Sequence, residues 1–404
     1  MKKFSYPLIQ KRLFKEEIKA GISVLNSGQI TISKITRNFE KNFAKYIGSK
    51  YALMVNSGSS ANLLATCASC NPKRLNRLKR GDEVLIPGIC WSTSLWPIVQ
   101  FGLKPIFVDV DKDTLNLDIN DLKKKITQKT KMIFLVHVLG NSTNLKEIKK
   151  IVKKKKLILI EDTCESLGSE YNSKKLGSFG DFSTFSFYYS HQISSGEGGM
   201  VACNSTKDYE ILLSLRAHGW SRDGKDHKKI VKKYKNLDPR FIFINYGFNL
   251  RPTEIQAAIA SRQLKKINIF KKNRIFNRNN IIKFFNKNKF NNDKIKFIKD
   301  APLVKSNWFG IPMLLNENLK LYKKKILQEI ESEGIETRPI ISGNFLNQPA
   351  IDLFNLNPKK KKLKNAQNIE ERGFFIGIDT KKSPITTLKF VADKLNKVLK
   401  KYNV

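Results

Sequence analysis

Between about residues 50 and 205 short apolar runs alternate with amphipathic stretches, and no other feature of the chain narrows its fold as far. The runs Val84 to Pro87, Pro105 to Val110, Met132 to Val138, Leu157 to Ile160, Phe182 to Tyr188 and Gly199 to Cys203 have the length and composition of strands buried on both faces. Helical patterns such as Asn120 to Ile126 and Leu145 to Lys154 lie between several of them. This alternation predicts an α/β fold with an open, mainly parallel sheet covered by helices. Ligands of such sheets bind at the carboxyl ends of the strands. At 404 residues the chain exceeds the size at which one core keeps growing. A large domain over 1–255, with an N-terminal arm, and a smaller C-terminal α+β domain over 256–404 are therefore expected. Arg251 to Phe276, with Pro at its second position, predicts a long helix joining the two. Beyond it Trp308 to Leu314 reads as a strand, and Leu321 to Glu333 and Thr387 to Tyr402 as helices. The basic stretch Ser221 to Lys235 carries Asp223-Gly224 and almost no apolar periodicity, which predicts an exposed loop.

Lys and Arg number 75 against 35 Asp and Glu, a formal charge of +40. Such an excess raises a nucleic-acid or anionic-membrane reading. The lysines, however, are spread along the chain, as in Lys123 to Lys125, Lys153 to Lys156 and Lys359 to Lys362, among many Asn, Ile and Phe. That distribution favours a solvated basic surface with neither nucleic acid nor membrane as partner. The opening MKKFSYPLIQKRLFKEE has no apolar run of signal-peptide length, and no later stretch reaches the ~20 apolar residues of a membrane span. A cytoplasmic protein is expected. Five cysteines without framework spacing suit a reducing compartment. Cys67 and Cys70 lie in an apolar helical run, so they read as buried thiols, and no metal site is expected.

Four segments carry candidate chemistry. Asn56-Ser57-Gly58-Ser59-Ser60-Ala61-Asn62 is a small-residue turn between a strand pattern and a helix, where free backbone amides suit a phosphate dianion and where ordinary capping would use the same residues. Pro87-Gly88-Ile89-Cys90-Trp91-Ser92-Thr93 follows a strand, and its indole could stack on a heteroaromatic ring or fill core. Ile160-Glu161-Asp162-Thr163-Cys164-Glu165 puts Asp162 at a strand's carboxyl end, where a buried carboxylate needs a partner such as a protonated ring nitrogen. The fourth runs from Ser186 to Gly199, S-F-Y-Y-S-H-Q-I-S-S-G-E-G-G.

On these segments the chain resembles the sugar aminotransferases of the aspartate-aminotransferase fold (fold type I of the pyridoxal-phosphate enzymes), whose pattern is S-F-x-x-x-K-x-[ILV]-x-x-G-E-G-G. The resemblance runs over nearly the whole length. In that pattern the lysine bonds covalently to pyridoxal phosphate, and here His191 stands in its place. One branch of the family, the 3-dehydratases of dideoxy-sugar synthesis, carries the same exchange. Within it, Trp91-Ser92-Thr93, Arg216 to Trp220, Gly247 to Pro252, Asn307 to Gly310 and Arg338 to Phe345 are similar to the colitose-pathway branch, which acts on GDP-4-keto-6-deoxy-D-mannose. Gln192 and the Ser221 to Lys235 stretch depart from that branch. A cousin acting on CDP-sugars holds an iron–sulfur cluster on cysteines after the active-site motif. Cys203 alone follows it here, so no such four-cysteine cluster is expected.

The resemblance implies that Gly58, Ser59 and Ser186 hold the phosphate of pyridoxal or pyridoxamine 5′-phosphate, that Trp91 stacks on its ring, that Asp162 meets the ring nitrogen and that Glu165 sits near the ring hydroxyl. Asn249 would reach in from the second subunit of a homodimer whose site lies at the interface. His191 would be the proton-transferring catalytic residue. His218 and Arg338 are weaker candidates for substrate contacts, each balanced by a structural or surface role. His137 reads as a satisfied core histidine and His227 as solvated. The implied reaction removes the C3 hydroxyl of a nucleotide-linked 4-keto-6-deoxyhexose, with L-glutamate as amino donor and ammonia released, towards an O-antigen or similar polysaccharide. Two alternatives stand beside it. One is a nucleotide-sugar aminotransferase working without the lysine; the other is a catalytically silent binding protein using its charge on nucleic acid.

Overall fold

The computed structural model describes residues 4–9, 13–288, 291 and 293–402. Seven strands build the central sheet: β1 (Tyr51–Val55), β2 (Glu83–Pro87), β3 (Lys104–Val108), β4 (Thr130–Val136), β5 (Ile158–Asp162), β6 (Phe182–Ser186) and β7 (Gly199–Cys203). Their order is β1-β7-β6-β5-β4-β2-β3. All run parallel except β7, which is antiparallel to both neighbours. Successive side chains point to opposite faces, so Val84 and Ile86 enter one core cluster while Leu85 enters another. Every residue of β2, β5, β6 and β7 is buried, which is why these segments read as continuous apolar runs rather than as alternations.

Several boundaries fall elsewhere than the apolar runs put them. β5 continues past Ile160 through Glu161 and Asp162, and β6 stops at Ser186, where the chain turns. The long helix is Glu254–Phe285, 32 residues, so it starts after Pro252 and runs beyond Phe276. Thr253 caps it: its hydroxyl accepts the Gln256 N–H at 3.3 Å, and the Gln256 side chain accepts the Thr253 N–H at 2.8 Å. That reciprocal pair defines the start and leaves Pro252 outside. The stretch Ser221 to Lys235, expected as a loop, contains a short helix, His227–Lys233, with no buried residue.

Towards the C-terminus a second sheet forms from β8 (Ile295–Phe297), β9 (Gly310–Leu315), β10 (Thr337–Arg338) and β11 (Gly373–Gly377), antiparallel in the order β8-β9-β11-β10. The helices Lys323–Ser332 and Ile385–Lys400 pack together beside it, and the latter also lies along the long helix. Tyr6, far away in sequence, belongs spatially to this sheet. The buried Tyr6 donates its hydroxyl to the Gly377 carbonyl at 3.1 Å, and its backbone pairs with Gly334 and Glu336. Among the described residues no helix is long and apolar enough to cross a membrane.

Candidate active site

A cavity of about 360 Å³ opens where the carboxyl ends of β4, β5 and β6 meet the first turn of the helix Gly58–Cys70. Ser57 is the extended N-cap of that helix, and its hydroxyl accepts the Ser60 N–H at 3.0 Å. The amides of Gly58 and Ser59, in the first turn, have no acceptor within the helix. A side chain on Gly58 would put its Cβ 2.6 Å from the Ser186 Cβ, so only glycine lets the last residue of β6 close this cradle. Gly199 does the same from below, since a Cβ there would lie 2.3 Å from the Ser57 carbonyl oxygen. Ser59 donates to the Thr93 hydroxyl at 3.0 Å, tying the cradle to the segment that carries Trp91. Trp91 is 57% exposed at the cavity wall, so it is not core.

Asp162, 5% exposed, ends β5 at the cavity floor. Its Oδ2 accepts from Asn62 Nδ2 at 2.8 Å and from the Ser94 hydroxyl at 2.7 Å, and its Oδ1 accepts the Cys164 N–H at 3.1 Å. Asn62 is oriented in turn by Thr184, whose hydroxyl donates to its Oδ1 at 2.6 Å. All three partners of Asp162 donate, as an anionic carboxylate requires. Burial and then the neighbouring Asp162 push the Cys164 thiol far above its usual range. Glu165 also lines the cavity, yet its Oε2 accepts only one backbone N–H, from Leu139 at 3.0 Å. Burial pushes its carboxyl up from 4.5 to about 7; Asp162 adds to the rise and the Leu139 N–H partly offsets it.

Past β6 the chain turns, with the His191 N–H donating to the Tyr188 carbonyl at 3.0 Å, and the imidazole reaches the same cavity. Its ring centroid lies 5.2 Å from that of Phe309 and 5.9 Å from that of Tyr188, and Nδ1 is 3.5 Å from the Ser190 hydroxyl. His137 forms part of the cavity wall while fully buried, with Nε2 3.0 Å from Glu161 and Nδ1 3.0 Å from Ser142. Glu161 is engaged besides by the N–H groups of Gly177, Phe179 and Gly180, so this pair is a satisfied structural unit under the site.

Of the residues singled out in the sequence, Gly58, Ser59, Trp91, Asp162, Glu165, Ser186 and His191 thus line one cavity. Asn249, His218 and Arg338 do not. Asn249 is exposed and its Oδ1 accepts from Arg251 Nε at 3.0 Å; the His218 ring lies 4.6 Å from that of Trp220; Arg338 is exposed on β10 and ion-paired with Glu336 at 2.6 Å. Sequence reasoning passed over Asn62 and Ser94. The spacing held a signal for both, since Asn62 is one helical turn past Gly58 and Ser94 three residues past Trp91.

An amide cradle, a donor-ringed aspartate and a histidine in the turn between them form one constellation, and the family model of the DegT/DnrJ/EryC1/StrS aminotransferases matches residues 11–390. The chain belongs to the DegT/DnrJ/EryC1/StrS aminotransferase family. This member of the family is 39% identical over 383 residues to the GDP-4-keto-6-deoxy-D-mannose 3-dehydratase of Escherichia coli O55:H7, over 92% of this chain and 95% of the relative. Its structure matches that of an E. coli GDP-4-keto-6-deoxy-D-mannose-3-dehydratase with bound hydrated PLP at a TM-score of 0.89 and 36% identity, over 98% of this chain and 100% of the other. A structure of a GDP-4-keto-6-deoxymannose-3-dehydratase with a trapped PLP-glutamate geminal diamine matches at 0.88 and 36%, over 97% and 100%. The type I aminotransferase-like fold expected from the sequence is the fold observed.

Proposed function

We propose that this DegT/DnrJ/EryC1/StrS member is a pyridoxal/pyridoxamine 5′-phosphate-dependent sugar 3-dehydratase. Its substrate is a nucleotide-linked 4-keto-6-deoxyhexose, GDP-4-keto-6-deoxy-D-mannose being the one its relatives are named for. Glutamate supplies the amino group, and the balanced outcome is a sugar lacking its C3 oxygen, 2-oxoglutarate and ammonia. The observation that carries this reading is His191, in the cavity where the family pattern has lysine.

The residues present fit the cofactor. Gly58, Ser59 and Ser186 form a cradle that a single Cβ would fill, Asp162 offers a buried acceptor to a protonated ring nitrogen, Glu165 stands by for the ring hydroxyl, and Trp91 presents an open aromatic face. When bound, the group supplies an electron sink beside the sugar's C4 carbon. Because an imidazole cannot replace the lysine's covalent tether, non-covalent contacts such as these would retain it. His191 would move the protons of the reaction, including one towards the C3 hydroxyl as it leaves, a task suited to a side chain that ordinarily titrates near neutrality. The exchange of lysine for His191 would remove the amine through which the family pattern tethers the cofactor, and with it the usual route to transamination.

We assign Asn249 to the cofactor of the second subunit in a homodimer, and His218 and Arg338 to substrate contacts. We assign the chain to the cytoplasm and divide it at residue 255. The test is to incubate the purified protein with pyridoxal phosphate, glutamate and GDP-4-keto-6-deoxy-D-mannose, following ammonia and product mass. Ammonia with loss of one oxygen from the sugar is expected. An accumulating amino-sugar would replace this reading with an aminotransferase, and silence in both halves would leave a binding protein.

A further inference from the structure

Gln192, the residue after His191, is 1% exposed. Its side-chain nitrogen donates to two backbone carbonyls, that of Glu165 and that of Asn307, the second at 3.2 Å. Chemistry settles the orientation of the amide, since two carbonyl oxygens can be met only by its NH₂ end. Both acceptors belong to segments that shape the cavity. One is Glu165 itself; the other lies two residues before Phe309, the ring 5.2 Å from His191.

These segments are also joined behind the cavity. The Phe309 N–H donates to the Leu139 carbonyl at 2.9 Å, and the Leu139 N–H donates to the Glu165 carboxyl. A closed circuit results: Gln192 to Glu165, Glu165 to Leu139, Leu139 to Phe309, and through Asn307 back to Gln192. Asn307 is anchored independently, its N–H on the Ser169 hydroxyl and its Nδ2 on the Leu167 carbonyl, both at 2.8 Å. The Gln192 Oε1, by contrast, is buried without a hydrogen-bond partner among the described residues. An apolar side chain of the same length would fill the space without that orphan. Packing alone therefore does not account for an amide here, whereas its two donor bonds do.

We propose that Gln192 is a positioning residue for proton transfer: one carboxamide, bound to two carbonyls, fixes Glu165 and Phe309 relative to His191. The inference rests on the reading of His191 given above. Of the cofactor contacts it reaches Glu165 but neither the phosphate cradle nor Asp162, so turnover should fall much further than cofactor affinity.

The test compares Gln192→Met, which keeps the length and removes both donors, with Gln192→His, which keeps one donor as a neutral ring. With glutamate and GDP-4-keto-6-deoxy-D-mannose, kcat of Q192M should fall on the order of tenfold, while KM for the sugar and the Kd of pyridoxal phosphate stay within about twofold. Amide hydrogen exchange over residues 165–167 and 307–309 should quicken in the cofactor-free protein, and Q192H should recover most of both effects. Wild-type kcat in Q192M, a Kd that rises in step with the fall in kcat, or a Q192H as slow as Q192M would overturn the proposal. If Q192M does not fold, Q192H carries the test alone: a smaller loss of kcat at unchanged Kd is expected, and full activity with unchanged exchange would overturn it. If the wild-type protein releases no ammonia from this sugar, the functional reading has failed, and the clamp is still read from conversion of glutamate to 2-oxoglutarate.

Discussion

At the floor of the cavity Asp162 receives three hydrogen bonds, from two helices and a backbone amide. A few residues along the same segment Glu165 receives one among the described residues, from Leu139, and burial pushes its carboxyl up to about 7. Both acids share one cavity, and they differ in the number of donors that reach each. The fully engaged group is held in place as an acceptor for a ring nitrogen. The sparsely engaged one suits a proton that is held in the working range and can be shared with a hydroxyl. The His191 turn makes the same contrast with the floor. The floor is buried and fixed by distant elements, while Tyr188 and Tyr189 in the turn are 47% and 39% exposed. Binding and proton movement are thus assigned to opposite sides of the site.

Substitutions can break that division, and the largest effect is expected on the turn. His191→Lys should attach pyridoxal phosphate covalently, read as an absorbance band that survives gel filtration and is fixed by borohydride, while dehydration falls by at least about 10³-fold. Retained dehydration would remove His191 as the proton carrier. On the binding side Gly58→Ala drives a methyl group against Ser186 and should weaken pyridoxal phosphate by roughly 10- to 100-fold, with little change in kcat at saturation. A fall in kcat without loss of affinity would show that the cradle does more than bind.

Glu165→Gln sharpens the comparison through pH. The neutral amide mimics the protonated acid, so activity near pH 6 should stay within about threefold of wild type. The wild-type decline as pH rises through about 7 should flatten. Stability follows the same sign. A carboxyl raised from 4.5 to about 7 on folding contributes fully below 4.5, and that contribution is lost as pH rises through about 7. The Tm of E165Q should therefore fall less than that of wild type between pH 5 and 8, and parallel curves would refute the assignment. Back on the binding side, Ser94→Ala removes one of the three donors on Asp162. It should weaken the cofactor by about three- to tenfold, the worth of a single hydrogen bond.

How much of this was legible in the sequence depended on where the determining contacts lie along the chain. Strands buried on both faces announce themselves as apolar runs, so the sheet was readable, and Asp162 with it as the end of β5; what holds Asp162 was not, because its partners lie far away along the chain. Asn62 is 100 residues from Asp162 and Ser94 is 68. Local rules also competed at the long helix, where Pro252 suggested one start and the Thr253–Gln256 cap set another. The helix His227–Lys233 buries nothing, so no apolar period could mark it. The candidate site was readable to the extent that small residues and a strand end draw attention, and unreadable for Gln192, whose two acceptors are carbonyls of segments that only the fold brings together.

The pairing of Tyr6 with the C-terminal sheet bears on how the chain is made. Its hydroxyl waits for the Gly377 carbonyl, a separation of 371 residues, and its backbone for Gly334 and Glu336. During synthesis the central sheet can assemble once residue 203 has emerged, but these partners of Tyr6 are made only after residue 333. Pairing of Tyr6 with the C-terminal sheet is therefore a late event on the ribosome's timetable, and a nascent chain halted before Gly334 would carry a formed central sheet with Tyr6 still short of these partners.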